Sequence, residues 1–114
     1  MDDLVKRDDL YYEKFTDVPF TGKLTGRLQG SFKTGKREGA WVSYRENGQL
    51  MYKENFKNDK KEGAWLHYWD NGQLSDKGNN KNGKQEGAWA AYNKVGTLDQ
   101  EFSGTYKEGV KISD

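Results

Sequence analysis

Three copies of Glu-Gly-Ala-Trp stand twenty-four residues apart, at positions 38–41, 62–65 and 86–89. The copies run on as near-repeats to Tyr44, Tyr68 and Tyr92. The following Asn47-Gly48-Gln49-Leu50 recurs as Asn71-Gly72-Gln73-Leu74 and, degraded, as Val95-Gly96-Thr97-Leu98. A fixed period of about 20 to 50 residues marks stacked supersecondary units, each too small to bury a core alone. The chain is therefore an array of one small unit rather than a single globular fold.

Composition sets how such an array can hold together. With 32% hydrophobic residues in 114 and a mean hydropathy of -1.17, there is too little apolar surface for an ordinary core of this size. Disordered chains share that poverty but are also poor in aromatics and high in net charge. Here 14% of residues are aromatic and the formal charge is +1, so order must come from aromatic packing between strands. The near balance of 19 basic and 18 acidic residues removes the electrostatic reason to expect nucleic acid, which needs a clustered positive surface. Cysteine is absent, which excludes disulfides and thiolate metal sites. No apolar run approaches the roughly 20 residues of a membrane helix, and Met1-Asp2-Asp3-Leu4-Val5-Lys6 has no hydrophobic region of a signal peptide.

Between the apolar runs lie Thr34-Gly35, Asn47-Gly48, Asn71-Gly72 and Asn82-Gly83, with Asn58-Asp59 and Val95-Gly96 in equivalent places. Asn-Gly is the strongest short-range hairpin signal, because a type I′ turn needs positive φ at both central residues. Two-residue turns at all six places set Trp41 between Leu28 and Glu54, Trp65 between Tyr52 and Gly78, and Trp89 between Asp76 and Phe102. Cross-strand partners share a face, so the three indoles line one side of a sheet.

The same side collects the expected structural core: Leu28, Phe32, Trp41, Leu50, Tyr52, Phe56, Trp65, Leu74, Trp89 and Phe102. Leu24, Gly26, Leu28, Gly30 and Phe32 alternate with polar residues as a half-buried strand should. Gly26, Gly30 and Gly78 would be slots across which a neighbouring indole can lie. On the opposite face Tyr44, Tyr68 and Tyr92 form a second aromatic row, the candidate partner-binding face; the bland alternative is that they pack on lysine stems and on one another.

The expected fold is all-β: an elongated, twisted, single antiparallel sheet of consecutive β-hairpins. Residues 22–112 carry the repeats, 1–21 an aromatic lead-in that caps the array, and 113–114 a tail. The lead-in contributes Leu10, Tyr11, Tyr12, Phe15, Val18, Pro19 and Phe20, in the role of an atypical terminal unit. Residues 99–103 hold a two-residue insertion, consistent with a bulge.

The combination Gly-x-Trp-x-x-Tyr, Asn-Gly-x-Leu and Lys-Asn-Gly-Lys-x-Glu-Gly resembles the bacterial variant of the MORN repeat, in the branch labelled YwqK-like antitoxin. The resemblance runs from Phe20 to about Lys111, and residues 10–22 look like its usual lead-in. It implies a scaffold without enzymatic activity that contacts other proteins and, in some members, phospholipid membranes. It also implies neutralisation of a protein by direct binding, and export, with Asp2 opening a mature periplasmic chain; a cytoplasmic protein is the alternative. Val95 for the turn Asn, Glu54 for the usual Gly and Asn80 for the usual aromatic depart from the pattern.

No catalytic constellation is evident. His67 is the one histidine, so a multi-histidine metal site is impossible, and a packed, hydrogen-bonded structural role is expected. Glu38, Glu62 and Glu86 repeat with the period and are expected as solvated or lysine-paired scaffold, and no carboxylate is expected in an apolar pocket. Asp70-Asn71-Gly72 lacks the other ligands of a calcium loop. No catalytic residue, cofactor, metal or small-molecule substrate is expected. The expected partner is another protein, with a membrane surface as a weaker possibility and the chain itself a monomer or a weak edge-mediated oligomer. The alternative function is a structural, self-assembling or envelope-surface role.

Overall fold

The computed structural model describes residues 4–7, 9–13 and 19–114; Phe15 and Val18 of the expected cap lie outside the described residues. Among the described residues twelve strands follow one another: β1 (Leu4–Arg7), β2 (Leu10–Glu13), β3 (Gly22–Leu24), β4 (Leu28–Lys33), β5 (Lys36–Tyr44), β6 (Leu50–Lys57), β7 (Lys60–Lys61), β8 (Gly63–Tyr68), β9 (Leu74–Lys81), β10 (Lys84–Ala91), β11 (Gly104–Lys107) and β12 (Val110–Ser113). Strands β3 to β12 form one antiparallel sheet in chain order, in a body measuring 48 × 34 × 17 Å. The lead-in hairpin β1–β2 is a separate two-stranded sheet. It is tied to the array where Tyr11 N–H donates to the Gly35 carbonyl and Phe20 N–H to that of Tyr11.

The hairpin turns are of two kinds. Thr34-Gly35, Asn58-Asp59, Asn82-Gly83 and Glu108-Gly109 have positive φ at both residues, as a two-residue type I′ turn requires. At Asn47-Gly48, Asn71-Gly72 and Val95-Gly96 only the glycine does, contrary to the sequence expectation. Gly48 N–H donates to the Arg45 carbonyl and Arg45 N–H to that of Gln49, the pattern of a three-residue loop closed by a left-handed glycine. Asn47 Oδ1 accepts the Gln49 N–H at 3.0 Å, which explains an asparagine there without positive φ.

That longer loop is followed by a one-residue bulge. Tyr44 pairs with Leu50 but Ser43 with Tyr52, leaving Met51 over; Tyr68 with Leu74 and His67 with Asp76 leave Ser75 over. The two departures cancel, so Trp41 still faces Glu54 and Trp65 still faces Gly78 as a two-residue turn would place them. Leu50 and Leu74 fall inside the interval where they do not cancel. Both are half-buried and sit opposite Tyr44 and Tyr68, on the tyrosine face rather than with the indoles, because an odd slip changes sides.

On the opposite flank of each Trp strand the expected register is wrong by two. Lys33 pairs with Lys36 and Ser31 with Glu38, but Gln29 pairs with Val42 and Leu28 with Ser43. Gly39, Ala40 and Trp41 therefore face the single residue Gly30. By the same step Gly63, Ala64 and Trp65 face Glu54, and Gly87, Ala88 and Trp89 face Gly78. Gly39, Gly63 and Gly87 all have positive φ, from 77° to 86°, so the recurring Gly-Ala-Trp encodes a bulge that aims the indole onto the preceding strand. Trp41 meets Gly30 instead of Leu28, Trp65 meets Glu54 instead of Tyr52, and Trp89 lies between Gly78 and Gly104 instead of Asp76 and Phe102. An even slip keeps parity, which is why the indoles still share one face.

The resulting core is aromatic throughout. Phe32, Trp41, Phe56, Trp89 and Tyr106 are the buried hydrophobic side chains among the described residues. Tyr11 and Phe20 pack on Phe32, Phe32 meets Trp41 edge-on at 5.0 Å, and Trp41 meets Phe56 edge-on at 6.3 Å. Leu4, Leu24 and Leu28 pack against this cluster from the capped end. Trp89 and Tyr106 form a second centre, 6.4 Å apart.

The loop geometry gives a first prediction. Gly48 has φ 87° and Gly72 φ 86°, with open space where a Cβ at Gly48 would stand. Gly48→Val and Gly72→Val should each lose about 1 to 2 kcal/mol from backbone strain alone. Urea midpoints matching the parent would contradict the left-handed assignment.

Candidate functional site

The array is interrupted at its middle. One period separates Gly30, Glu54 and Gly78, and a carboxylate occupies the central glycine slot. Trp41 and Trp89 lie flat over their glycines and donate Nε1–H to the backbone carbonyls of Ser31 and Asn79 at 3.2 and 2.8 Å. Trp65 cannot repeat this. It stays half-buried and donates instead to Asp76 Oδ2 at 2.9 Å.

Around it His67 stacks between two rings, 4.4 Å from Trp65 and 5.1 Å from Tyr52. Its Nε2 lies 2.7 Å from Glu54 Oε2, and the Glu54 side chain is only 12% exposed. His67 thus has packing and a hydrogen-bond partner, and Glu54 is a carboxylate among rings that the sequence expectation did not include. Burial, then the Glu54 charge, pushes the Tyr52 phenol up from its ordinary value against the opposing effects of Ser43 and Arg37. Tyr52 is therefore neutral at physiological pH and cannot serve as a base there.

The periodic carboxylates have a sharper role than solvation or lysine pairing. Glu38, Glu62 and Glu86 each accept, through Oε2, the backbone N–H that opens the next tight turn, at Asn58, Asn82 and Glu108, over 2.8 to 3.0 Å. At the other end of the strands Arg45 Nη2 donates to the Tyr68 carbonyl and Trp69 Nε1 to that of Tyr92, both at 2.9 Å. Successive units are thus clamped at both ends of the strands.

Tyr44, Tyr68 and Tyr92 recur at the same place in each unit, opposite Leu50, Leu74 and Leu98. All three are half-buried. The row is therefore a strip of Tyr–Leu cross-strand pairs, partly closed by its own neighbours.

Large exposed apolar side chains concentrate instead at the C-terminal end: Val95, Leu98, Phe102, Val110 and Ile112. Val95 stands in the last three-residue loop and Val110 and Ile112 on the edge strand β12, while Phe102 is exposed by the insertion at 99–103. Ala91 pairs by backbone with Asp99 but Trp89 pairs with Gly104, so residues 100–102 leave the ladder as a turn rather than a bulge within a strand. Asp99 Oδ1 accepts the N–H groups of Glu101 and Phe102, and Ser103 Oγ takes the Ala91 N–H. Phe102, expected in the core, is 58% exposed. It stands at the rim of a cleft of about 360 Å³ shared with Trp69, Asp76, Trp89, Tyr92 and Asp99.

Residues 37–58 and 61–82 each match the family model described as MORN repeat variant. These two units are similar to that repeat. Each matched unit opens just before its Gly-Ala-Trp bulge, passes through the Asn-Gly loop and closes at the first residue of a tight turn. The next copy, with Val95 in its loop and the insertion at 99–103, lies outside the match. MORN repeats are generally non-catalytic modules that bind proteins or membranes. Comparison with curated proteins and with solved structures gives no significant match.

Proposed function

We propose that this chain is a non-enzymatic MORN-type module that binds another protein through the C-terminal end of its sheet. The observation that carries this reading is the polarity of the array. One end is packed under Leu4, Tyr11 and Phe20, while the other presents Phe102, Val110 and Ile112 at 58%, 64% and 60% exposure. Exposed apolar groups at a strand edge that no described strand covers favour a partner that buries them. Neutralisation of a toxin-like protein by direct binding is the specific form that the antitoxin resemblance suggests.

Capture from cell lysate on the immobilised full chain, beside Phe102→Ser/Val110→Ser/Ile112→Ser and Tyr44→Ser/Tyr68→Ser/Tyr92→Ser variants, separates the two surfaces. Hot-spot side chains contribute about 1 to 2 kcal/mol or more each, so the first variant should recover the parent's partner at least about tenfold less well. Loss confined to the tyrosine variant would move the interface to that face, and undiminished recovery by both would reject the proposal.

Self-assembly is the second reading, favoured by β12, whose outer edge has no strand neighbour among the described residues. Pairing of that edge with its own copy would be two-fold and would close at a dimer. Sedimentation at increasing concentration tests it, and a constant monomer mass would remove it.

A further inference from the structure

The cleft behind Phe102 has an unusual chemical lining. Trp69, Trp89, Tyr92 and Phe102 supply rings, and Asp76 and Asp99 supply carboxylates. The chain has 19 lysines and arginines, yet none lines this cleft. Neutral donors hold both acids. Asp76 accepts from Trp65 Nε1 and Ser75 Oγ at 2.9 and 3.0 Å, and Asp99 Oδ1 accepts two backbone N–H groups at 3.0 and 3.3 Å. Neither acid forms an ion pair among the described residues; the Lys111 ammonium reaches the Asp99 turn but donates to the Gln100 and Glu101 carbonyls, at 2.7 and 3.2 Å.

Elsewhere the chain fills comparable ring faces with its own cations. The Arg37 guanidinium stands 4.1 Å over Phe56 and the Lys61 ammonium 4.5 Å over Trp65. Lys94 reaches 5.7 Å from the Trp69 ring, but its ammonium is directed to Asp70 at 3.4 Å and it does not line the cleft. An aromatic face attracts a cation through its quadrupole, most strongly where water is partly excluded, and a nearby carboxylate adds to that attraction.

We propose that this cleft receives the cationic side chain of a lysine or arginine from the bound protein. The assignment rests on the protein-binding reading above and gives it an anchor point. An aliphatic stem lies against the rings while the charged head meets Asp76 and Asp99. Phe102, held out by the Asp99 turn, forms the outer wall.

The test uses the full chain labelled with ¹⁵N and capped tripeptides Gly-Lys-Gly, Gly-Arg-Gly and Gly-norleucine-Gly, followed at the indole N–H signals. Trp69 and Trp89 donate their N–H to backbone carbonyls, so their shifts report the surroundings of the ring. The lysine and arginine peptides should shift both indoles saturably, with the uncharged norleucine peptide at least about fivefold weaker. Asp99→Asn, which keeps the Oδ1 acceptor of the turn, and Phe102→Ala should each weaken the charged peptides while leaving the rest of the spectrum in place.

Equal binding of the norleucine peptide would overturn the assignment in favour of a merely apolar groove. Stronger displacement by choline chloride than by either basic peptide would overturn it in favour of a headgroup cation. No saturable shift at Trp69 and Trp89 would also overturn it. Since lysate capture is read separately, failure here with partner recovery intact removes the cleft as the anchor and leaves the protein-binding reading standing.

Discussion

Gly30→Ala and Gly78→Ala are each expected to destabilise the protein by about 3 kcal/mol. A Cβ at Gly30 would stand 2.2 Å from Cδ2 of Trp41, and one at Gly78 2.2 Å from Cδ2 of Trp89. Neither indole can yield by a small adjustment, because each is buried and tied by Nε1 to a carbonyl beside the slot. The methyl therefore lifts the ring from its seat, and overpacking adds to lost burial. Against a total stability of about 5 to 15 kcal/mol, that loss is a large displacement of the urea midpoint. Unchanged midpoints for both variants would mean that the indoles do not lie on these glycines.

Truncating the indoles themselves should separate the three repeats. Trp41→Ala and Trp89→Ala remove buried rings at the centres of the two aromatic clusters and should each lose about 4 kcal/mol. Trp65→Ala removes a ring that is half-buried, lies over Glu54 and has Lys61 on its face. About half that loss is expected, since less apolar area leaves water. Equal losses at all three positions in thermal or urea unfolding would contradict the interruption of the array at its middle unit.

Much of this architecture can be read from the residues, and the failures have definite causes. The period, six turn positions and the common face of Trp41, Trp65 and Trp89 follow from spacing, and the face survives because the unforeseen Gly-Ala bulges displace pairing by two residues. The expected single strand over 23–33 is instead the β3–β4 hairpin, turning at 25–27. Leu50 and Leu74 do not survive, since Met51 and Ser75 each shift parity by one. Nothing in Asn47-Gly48 distinguishes a three-residue loop from the tight turn at Asn82-Gly83 except the chain entering it, Arg45-Glu46 against Asn80-Lys81.

The candidate site was visible in part. Glu54 stands in phase with Gly30 and Gly78, so its departure is legible, but its burial against His67 requires the bulge that sets His67 opposite Tyr52. The insertion at 99–103 is also legible by counting. Its consequence is not, because extruding the turn depends on Asp99 and Ser103 replacing lost ladder bonds with side-chain oxygens. The cleft and its exposed rim exist for that reason, in the unit where the repeat is least regular.

Nuclear Overhauser contacts from the indole protons test the Trp-on-Gly packing most directly. The rings of Trp41 and Trp89 should show strong cross-peaks to the α-protons of Gly30 and Gly78, both moved upfield by the ring current, while Trp65 shows contacts to Glu54. Contacts from Trp41 to Leu28 and from Trp89 to Asp76 in their place, with ordinary glycine shifts, would contradict the bulged register and the site built on it.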